Sequence, residues 1–185
     1  HAEAYAWGFR VFRTHTLPEP LVRPARPDDA KAIAAVHLTS WRVAYRGVLL
    51  NTFLESLSLE GKIALAQHAL EEGQNSRHRL RVLDQGGRIL GFCVSGPSLP
   101  PKGEVFALYV HPSRWRQGLG RQLLMESVEA MRAAGFPTGS LWVLEHNERA
   151  RGFYEKLGWQ RSGGVRHLWQ GGIILRELEY VLPLS

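Results

Sequence analysis

The sequence of 185 residues lacks several features that would assign it to a special class of protein. Its single cysteine, Cys93, cannot form an internal disulfide, so nothing indicates an oxidising compartment and a cytoplasmic location is expected. No apolar run approaches the ~20 residues that a membrane-spanning helix needs, and no membrane partner is expected. The histidines show no metal-binding spacing, and one cysteine cannot build a thiolate cluster, so no metal is expected either.

There is also no arginine-rich arm, although 23 basic side chains outnumber 17 acidic ones and give a formal net charge of +6. Such an excess suits nucleic acid, acidic surfaces or a phosphorylated small molecule, and alone it does not choose among them. No nucleic-acid-binding motif accompanies the charge, so nucleic acid is not an expected partner. The length predicts one domain over residues 21–185, with residues 1–20 an N-terminal extension or a remnant of cloning or processing.

Hydrophobic periodicity predicts an α/β fold with a mostly antiparallel sheet. Two helices, joined by a bend and a short helix, precede a three-strand meander. A helix, a strand, a helix and a final pair of strands follow, with one strand, helix, strand crossover. Gly73 is expected to end the second of the early helices, and Gly86 with Gly87 to form a hairpin turn. Three prolines predict a loop over residues 97–103.

The segment HPSRWRQGLGRQLL, residues 111–124, joins a predicted strand to a predicted helix. Amides at a helix start carry partial positive charge, and glycines let a phosphate approach them without a Cβ in the way. A nucleotide-triphosphate loop is excluded because no Lys-Ser or Lys-Thr follows Gly120, and a dinucleotide fingerprint because Leu123 takes the place of its third glycine. The segment is therefore a different phosphate loop, or a plain strand-to-helix turn.

The strand EVFALYVHP, the loop WRQGLG, a helix, a strand and the segment EHNERARGFYEKLGW follow one another in that order. Together they closely resemble the GNAT superfamily of acyl-CoA-dependent N-acyltransferases, from about Leu21 to Val181 and most specifically from Glu104 to Trp159. The resemblance implies a GNAT-like mixed, mostly antiparallel sheet flanked by helices, and an acetyl-CoA-dependent N-acetyltransferase that uses direct transfer. The opening SWRVAYRG is similar to that of bacterial members of the superfamily.

In this superfamily the loop follows Gln/Arg-x-x-Gly-x-Gly/Ala, and its amides hold the pyrophosphate of coenzyme A. Gly118 and Gly120 match, whereas Trp115 stands where the leading Gln or Arg is usual. If the amides carry the contact, Trp115→Arg should be tolerated and a bulky residue at Gly120 should block coenzyme binding. The resemblance assigns coenzyme binding to Leu108, Tyr109, Val110, Arg116, Gln117, Gly118, Leu119, Gly120, Arg121, Asn147 and Tyr154.

Acyl transfer to an amine needs a proton acceptor for the ammonium and a proton donor for the departing thiolate. By resemblance, Glu104 is the expected base. Strict alternation puts it on the same strand face as Phe106, Leu108 and Val110. The alternative is that Glu104 is simply a solvated glutamate at the end of the strand. Tyr154 is the expected acid, its alternative being a core aromatic. Asn147 and Tyr154 are seven residues apart and share a helix face, ~10 Å apart along the axis.

Trp41 and Tyr45 come from the first helix and the bend that follows it and, by resemblance, line the acceptor side, although such spacing also suits plain core. The acceptor expected is a small-molecule amine or a peptide N-terminus, and the final segment either closes the pocket through Trp169 or joins a homodimer. His111 is more simply a turn residue than a base, and Cys93 more simply buried than a nucleophile. The alternative function is a non-catalytic acyl-CoA-binding sensor module.

Overall fold

A mixed sheet forms the centre of the fold in the computed structural model, which describes residues 16–99 and 101–185. The described residues contain seven strands: β1 (Leu21–Pro24), β2 (Arg79–Gln85), β3 (Arg88–Pro97), β4 (Lys102–Val110), β5 (Thr138–Leu144), β6 (Gln160–Gln170) and β7 (Ile173–Pro183). They lie in the order β1-β2-β3-β4-β5-β7-β6. Every neighbouring pair is antiparallel except β4 and β5, so the predicted mostly antiparallel sheet is confirmed.

Helices cover both faces of this sheet. They are α1 (Ala30–Ala44), α2 (Asn51–Ser56), α3 (Leu59–Asn75), α4 (Leu119–Ala133) and α5 (Glu148–Lys156), with 3-10 turns at Pro27–Asp29 and Pro112–Arg114. On one face α1 and α3 bury Ile33, Val36 and Leu70 against Val82 and Phe92 of the strands. On the other, α4 and α5 pack over a larger core. The predicted α4 stripe is buried throughout: Leu119, Leu123, Leu124, Val128 and Met131.

Three predicted boundaries were wrong. The α3 helix continues past Gly73 to Asn75, because Gly73 keeps a negative φ and does not act as a helix stop. Pro97 pairs with Gly103, so the ladder enters both ends of the predicted proline loop. The first strand of the final pair, expected only over WQRSG at residues 159–163, runs on to Gln170, because Gly171 and Gly172 both take the left-handed conformation that a tight hairpin needs. The extension predicted over residues 1–20 lies mostly outside the described residues.

The parallel pair β4 and β5 opens along its length. Pairing joins residues 102–105 to residues 138–141 and then stops, although both strands continue. At the same point the register against β3 shifts, with Val94 opposite Ala107 and Ser95 opposite Val105, which leaves Phe106 as an extra, bulged residue. The fold therefore has a wedge-shaped gap between two adjacent strands, closed at their beginnings and open at their ends.

The bulge corrects the expectation that Glu104 shares a face with Leu108 and Val110. Leu108 and Val110 pack on the side of α4 and α5, whereas Ala107 and Tyr109 pack on the side of α1 and α3. Because one residue is inserted at Phe106, Glu104 falls in phase with Ala107 and Tyr109 instead. Strict alternation failed because it assumed an unbroken strand.

Candidate functional site

The free edge of β4 forms one wall of the gap. Residues 108–110 pair with Gly91, Phe92 and Cys93 of β3 on one side, and with no strand of the described chain on the other. The carbonyl of Val110 already accepts hydrogen bonds from Trp115 Nε1 at 2.8 Å and Ser40 Oγ at 3.3 Å. Backbone groups before it on that edge remain available, and unpaired backbone groups of this kind bind extended ligands.

The start of α4 lies directly beyond the open end of this edge. Arg116 and Gly118 both take positive φ angles, 62° and 76°, and the first helical bond runs from Gln122 N to the Gly118 carbonyl. No turn or cap hydrogen bond among the described residues uses the amides of residues 117–121. A Cβ at Gly118 would meet no atom within 4 Å, so ligand atoms have room there. The predicted loop residues therefore present amides without a hydrogen-bond partner in the described chain, next to arginine side chains, which is an arrangement that suits an anion.

Trp115 has a structural role in this loop. Its indole nitrogen holds the Val110 carbonyl, as noted, and the Arg149 guanidinium carbon lies 3.4 Å from its ring centre. Burial, and then the nearby charge of Arg116, lower the pKa of Arg149. Arg149 thus places a positive charge beside the loop, although the Gln or Arg that usually leads this loop is absent. The contacts of Trp115 with Val110 and with Arg149 were not evident from the sequence.

The α5 helix supplies Asn147 and Tyr154. Asn147 is the N-cap as predicted, since its Oδ1 accepts from Ala150 N at 3.1 Å. Tyr154 packs on the core of the α4 side, edge-on to Phe153 at 5.1 Å, and its hydroxyl has no hydrogen-bond partner among the described residues. Burial is the main cause of the raised pKa of Tyr154, followed by its electrostatic interaction with the ionisable groups of Cys93 and Tyr109. The phenol therefore keeps its proton and remains free to donate it.

Glu104 lies in the closed part of the gap, on the face opposite to Tyr154. It is paired to Gly96 on one side and to Ser140 on the other, is 8% exposed, and accepts a hydrogen bond from Ser98 Oγ at 2.6 Å. These contacts contradict the alternative of a solvated strand-end glutamate. The candidate base and the candidate acid thus approach the β4 edge from opposite faces of the sheet.

An aromatic wall lies on the Glu104 face. Trp41 stacks on Tyr45 with 4.4 Å between ring centres, and its indole nitrogen donates to Tyr109 Oη at 3.0 Å. Burial raises the pKa of both Tyr45 and Tyr109, so both phenols stay neutral. The structure therefore brings the two predicted acceptor-side residues next to β4.

Two basic side chains stand behind this wall. The Lys62 ammonium lies 4.2 Å from the Trp41 ring centre and 3.5 Å from His37 Nε2. Burial lowers the pKa of Lys62, while burial and the Lys62 charge together lower that of His37 to about 4. His37 is therefore neutral at physiological pH.

Sequence reasoning missed two carboxylates on this face, Glu177 and Glu179. They alternate along β7 in LRELEYVL, which is the signal that was available. Glu177 accepts from Arg166 Nε at 2.5 Å, and its charge contributes to the raised pKa of Tyr45 and Tyr109. Glu179 accepts from Lys102 Nζ at 2.7 Å. The acceptor face is thus richer in charge than the sequence indicated.

Other candidates are accounted for by local structure. His111 Nδ1 accepts from the Ser113 amide at 3.2 Å, which supports its role in the turn. Cys93 is fully buried against Ser127 Oγ, and burial raises the pKa of its thiol to about 12, so it is no nucleophile. Trp169 is 69% exposed near the β6–β7 turn. In the described part of the chain, no group of three or more His, Cys, Asp or Glu side chains is placed to hold a metal, and no helix is long and apolar enough to cross a membrane.

Comparison with known proteins gives consistent matches. The model of the acetyltransferase (GNAT) family matches residues 43–159. The uncharacterized N-acetyltransferase YuaI of Bacillus subtilis is 34% identical over 133 residues, 68% of this chain and 72% of that protein. The probable N-acetyltransferase Rv2775 of Mycobacterium tuberculosis is 28% identical over 144 residues, 77% of this chain and 80% of that protein.

Among solved structures, the PaiA N-acetyltransferase of Thermoplasma acidophilum in complex with coenzyme A has the same fold. It superimposes with a TM-score of 0.71 at 21% identity, covering 86% of this chain and 98% of that one.

Proposed function

The chain belongs to the acetyltransferase (GNAT) family, and on that premise we propose that it transfers an acetyl group from acetyl-CoA to a primary amine by direct transfer. One observation carries the proposal. The gap between β4 and β5 opens towards the uncommitted amides of residues 117–121, so a single extended ligand with a phosphate group fits both.

Acetyl-CoA fits the residues that surround this gap. We assign its pyrophosphate to the amides of residues 117–121, with Arg116, Arg121 and Arg149 supplying positive charge nearby. The edge of β4 at residues 108–110 would pair with the extended pantetheine arm, as a neighbouring strand does. The coenzyme A complex of the Thermoplasma protein supports this assignment, since that protein shares the fold. When bound, acetyl-CoA supplies the acetyl group as a thioester.

The chain's own groups would move the protons. Glu104, fixed by Ser98, accepts the proton of the incoming ammonium, directly or through water, and leaves a nucleophilic amine. The amine forms the new C–N bond as the C–S bond breaks. Tyr154, neutral because burial raises its pKa, donates its proton to the departing sulfur, and its phenolate takes up, through water, the second proton that the nitrogen gives up as the amide forms. Because the two groups lie on opposite faces of the sheet, amine and thiolate would meet at the β4 edge from opposite sides.

The amine would approach over the aromatic wall of Trp41 and Tyr45, on the same face as Glu104 and Glu177. Aromatic faces and carboxylates attract ammonium groups. The proposal therefore covers cationic small molecules, and peptide N-termini where the approach is open enough.

The test combines binding with turnover. Saturating acetyl-CoA is expected to raise the melting temperature, because a ligand selective for the folded state stabilises it. Thiol release is then measured over polyamines, aminoglycosides and short peptides with free N-termini. A rise in melting temperature with acetyl-CoA, together with amine-dependent thiol release, supports the proposal. A shift without release over the panel indicates a sensor module, and the absence of any shift overturns coenzyme binding itself.

A further inference from the structure

A cavity of about 590 Å³ lies at the closed end of the sheet, away from the coenzyme loop. Its walls come from the end of α3, the start of β2 and the last turns of α4. Ser95 and Gly96 in its wall pair with Val105 and Glu104, where β4 and β5 are still joined. Val110, at the open end of β4, is six residues beyond Glu104, or roughly 20 Å along a strand. The cavity therefore lies at the opposite end of β4 from the coenzyme loop.

Positive charge is concentrated in this cavity. Arg77, His78, Arg79 and Arg81 all line it, and no Asp or Glu is found among its lining residues in the described chain. Arg79 has neither an ion pair nor a hydrogen bond within the described residues, and Arg77 only approaches the Phe136 ring, at 5.7 Å. An anion bound in this cavity would therefore meet three arginine side chains in its lining.

Arg81 adds an independent observation. Its Nε is buried and is the one buried side-chain nitrogen or oxygen of the described residues that lacks a hydrogen-bond partner. The carboxylate paired with it, on Glu126, is 3.9 Å away, too far for a hydrogen bond, and its side chain is 47% exposed. Leaving a buried charged donor unsatisfied is costly, so this guanidinium is poorly compensated by the protein alone.

We propose that this cavity binds a small organic anion, with a carboxylate or phosphate group carried on an apolar body. Guanidinium groups bind both anions through paired, charge-assisted hydrogen bonds. Arg79 offers donors that have no partner among the described residues, and Arg81 adds a second positive charge to the lining. Leu80, Met131 and Phe136 contribute apolar surface to the same lining, which suits the body of such a ligand. The volume is in the range of small-molecule sites.

The two methionines make the test specific. Met131 lines the cavity, while Met125 lies on the outer side of α4 next to Glu126 and Glu129. With methyl-labelled methionine, phenylacetate and phenyl phosphate are titrated separately into the full chain and followed by NMR. Benzyl alcohol serves as the uncharged control. We expect the Met131 signal to shift saturably with an anion and the Met125 signal to stay in place, and the tighter of the two probes identifies the preferred anionic group.

Matched variants decide the outcome. Arg79→Gln removes an exposed cation of the cavity and should weaken binding about tenfold, the value of one charged hydrogen bond. Arg88→Gln removes an exposed cation that has no ion pair within residues 16–99 and 101–185, at the far end of the same hairpin, and should change nothing. Arg81→Gln should weaken binding further. An unmoved Met131 signal, an equal response to benzyl alcohol, or unchanged affinity in Arg79→Gln would overturn the proposal.

Discussion

The Arg149 guanidinium lies face-on to the Trp115 ring, with 3.4 Å between its central carbon and the ring centre. The same indole donates its N–H to the Val110 carbonyl at the end of β4. Trp115 thus joins the coenzyme loop, β4 and α5 at one point. This changes the expectation that Trp115→Arg would be tolerated.

Replacing Trp115 tests this link. Trp115→Phe keeps an aromatic face but loses the bond to Val110, and should lower the free energy of unfolding by about 1 kcal/mol. Trp115→Arg also loses the stacking and adds a cation beside Arg116 and Arg149, so it should cost more and weaken acetyl-CoA binding. Chemical denaturation and isothermal titration measure the two effects. An arginine variant that binds acetyl-CoA as tightly as the parent would show that the loop amides suffice.

Gly120 and Gly152 form a matched pair for coenzyme binding. A side chain at Gly120 would point towards Phe153 and Val110, whereas one at Gly152 meets nothing within 4 Å. Gly120→Leu should therefore raise the KM for acetyl-CoA more than tenfold, because it fills space beside the loop amides. Gly152→Leu should leave KM unchanged. Equal KM values in the two variants would remove Gly120 from the coenzyme site.

Removal of the Tyr154 hydroxyl tests the acid. Tyr154→Phe should lower kcat by about 100-fold or more, the usual contribution of general acid catalysis. The dissociation constant for acetyl-CoA should hardly change, because the ring stays packed against Phe153. Steady-state thiol release and titration separate the two effects. Unchanged kcat would exclude Tyr154 as the donor.

Variants of Glu104 and of Ser98, which donates a hydrogen bond to it, test whether Glu104 acts as a base or has a structural role. Glu104→Gln keeps the shape and the contact with Ser98 but cannot take a proton, so kcat should fall about 100-fold or more. Ser98→Ala removes only the hydrogen bond and should have a much smaller effect on kcat. Both are assayed against the same amine. Equal, small losses in the two variants would assign Glu104 a structural role.

The lowered pKa of His37 predicts that the free energy of unfolding falls at mildly acidic pH. Burial and the Lys62 charge lower its pKa in the folded chain to about 4, below the ordinary value of 6.5. The unfolded chain therefore takes up the proton first. The stabilisation is complete above pH 6.5 and is lost as pH falls towards 4, by about 1 to 2 kcal/mol between pH 7.5 and pH 5.

Denaturant unfolding at several pH values measures this loss. His37→Gln removes the titrating group and should give a flatter profile over the same window. If the parent and the variant lose stability equally, His37 is not the group responsible.

The sequence by itself determined most of the secondary structure and the family. The periodicity of α4, the glycine turn of the β2–β3 hairpin and the cap at Asn147 depend on local propensities, which act within a few residues. The candidate coenzyme loop could be picked out for the same reason, since its glycines and the start of α4 are consecutive in the sequence. Where propensity and packing disagreed, as at Gly73, the prediction was wrong because tertiary contacts outweigh a single glycine.

Only the tertiary structure decided how the site is assembled. The bulge at Phe106 placed Glu104 on the face of Tyr109 rather than that of Leu108, and an inserted residue leaves no trace in a hydrophobic pattern. The contact between Trp115 and Arg149 and the position of Glu177 beside Tyr45 join distant segments. Local propensity determines each helix or strand separately. A site depends instead on how strands far apart in the chain pair and separate, and the packing of the whole sheet sets that pairing.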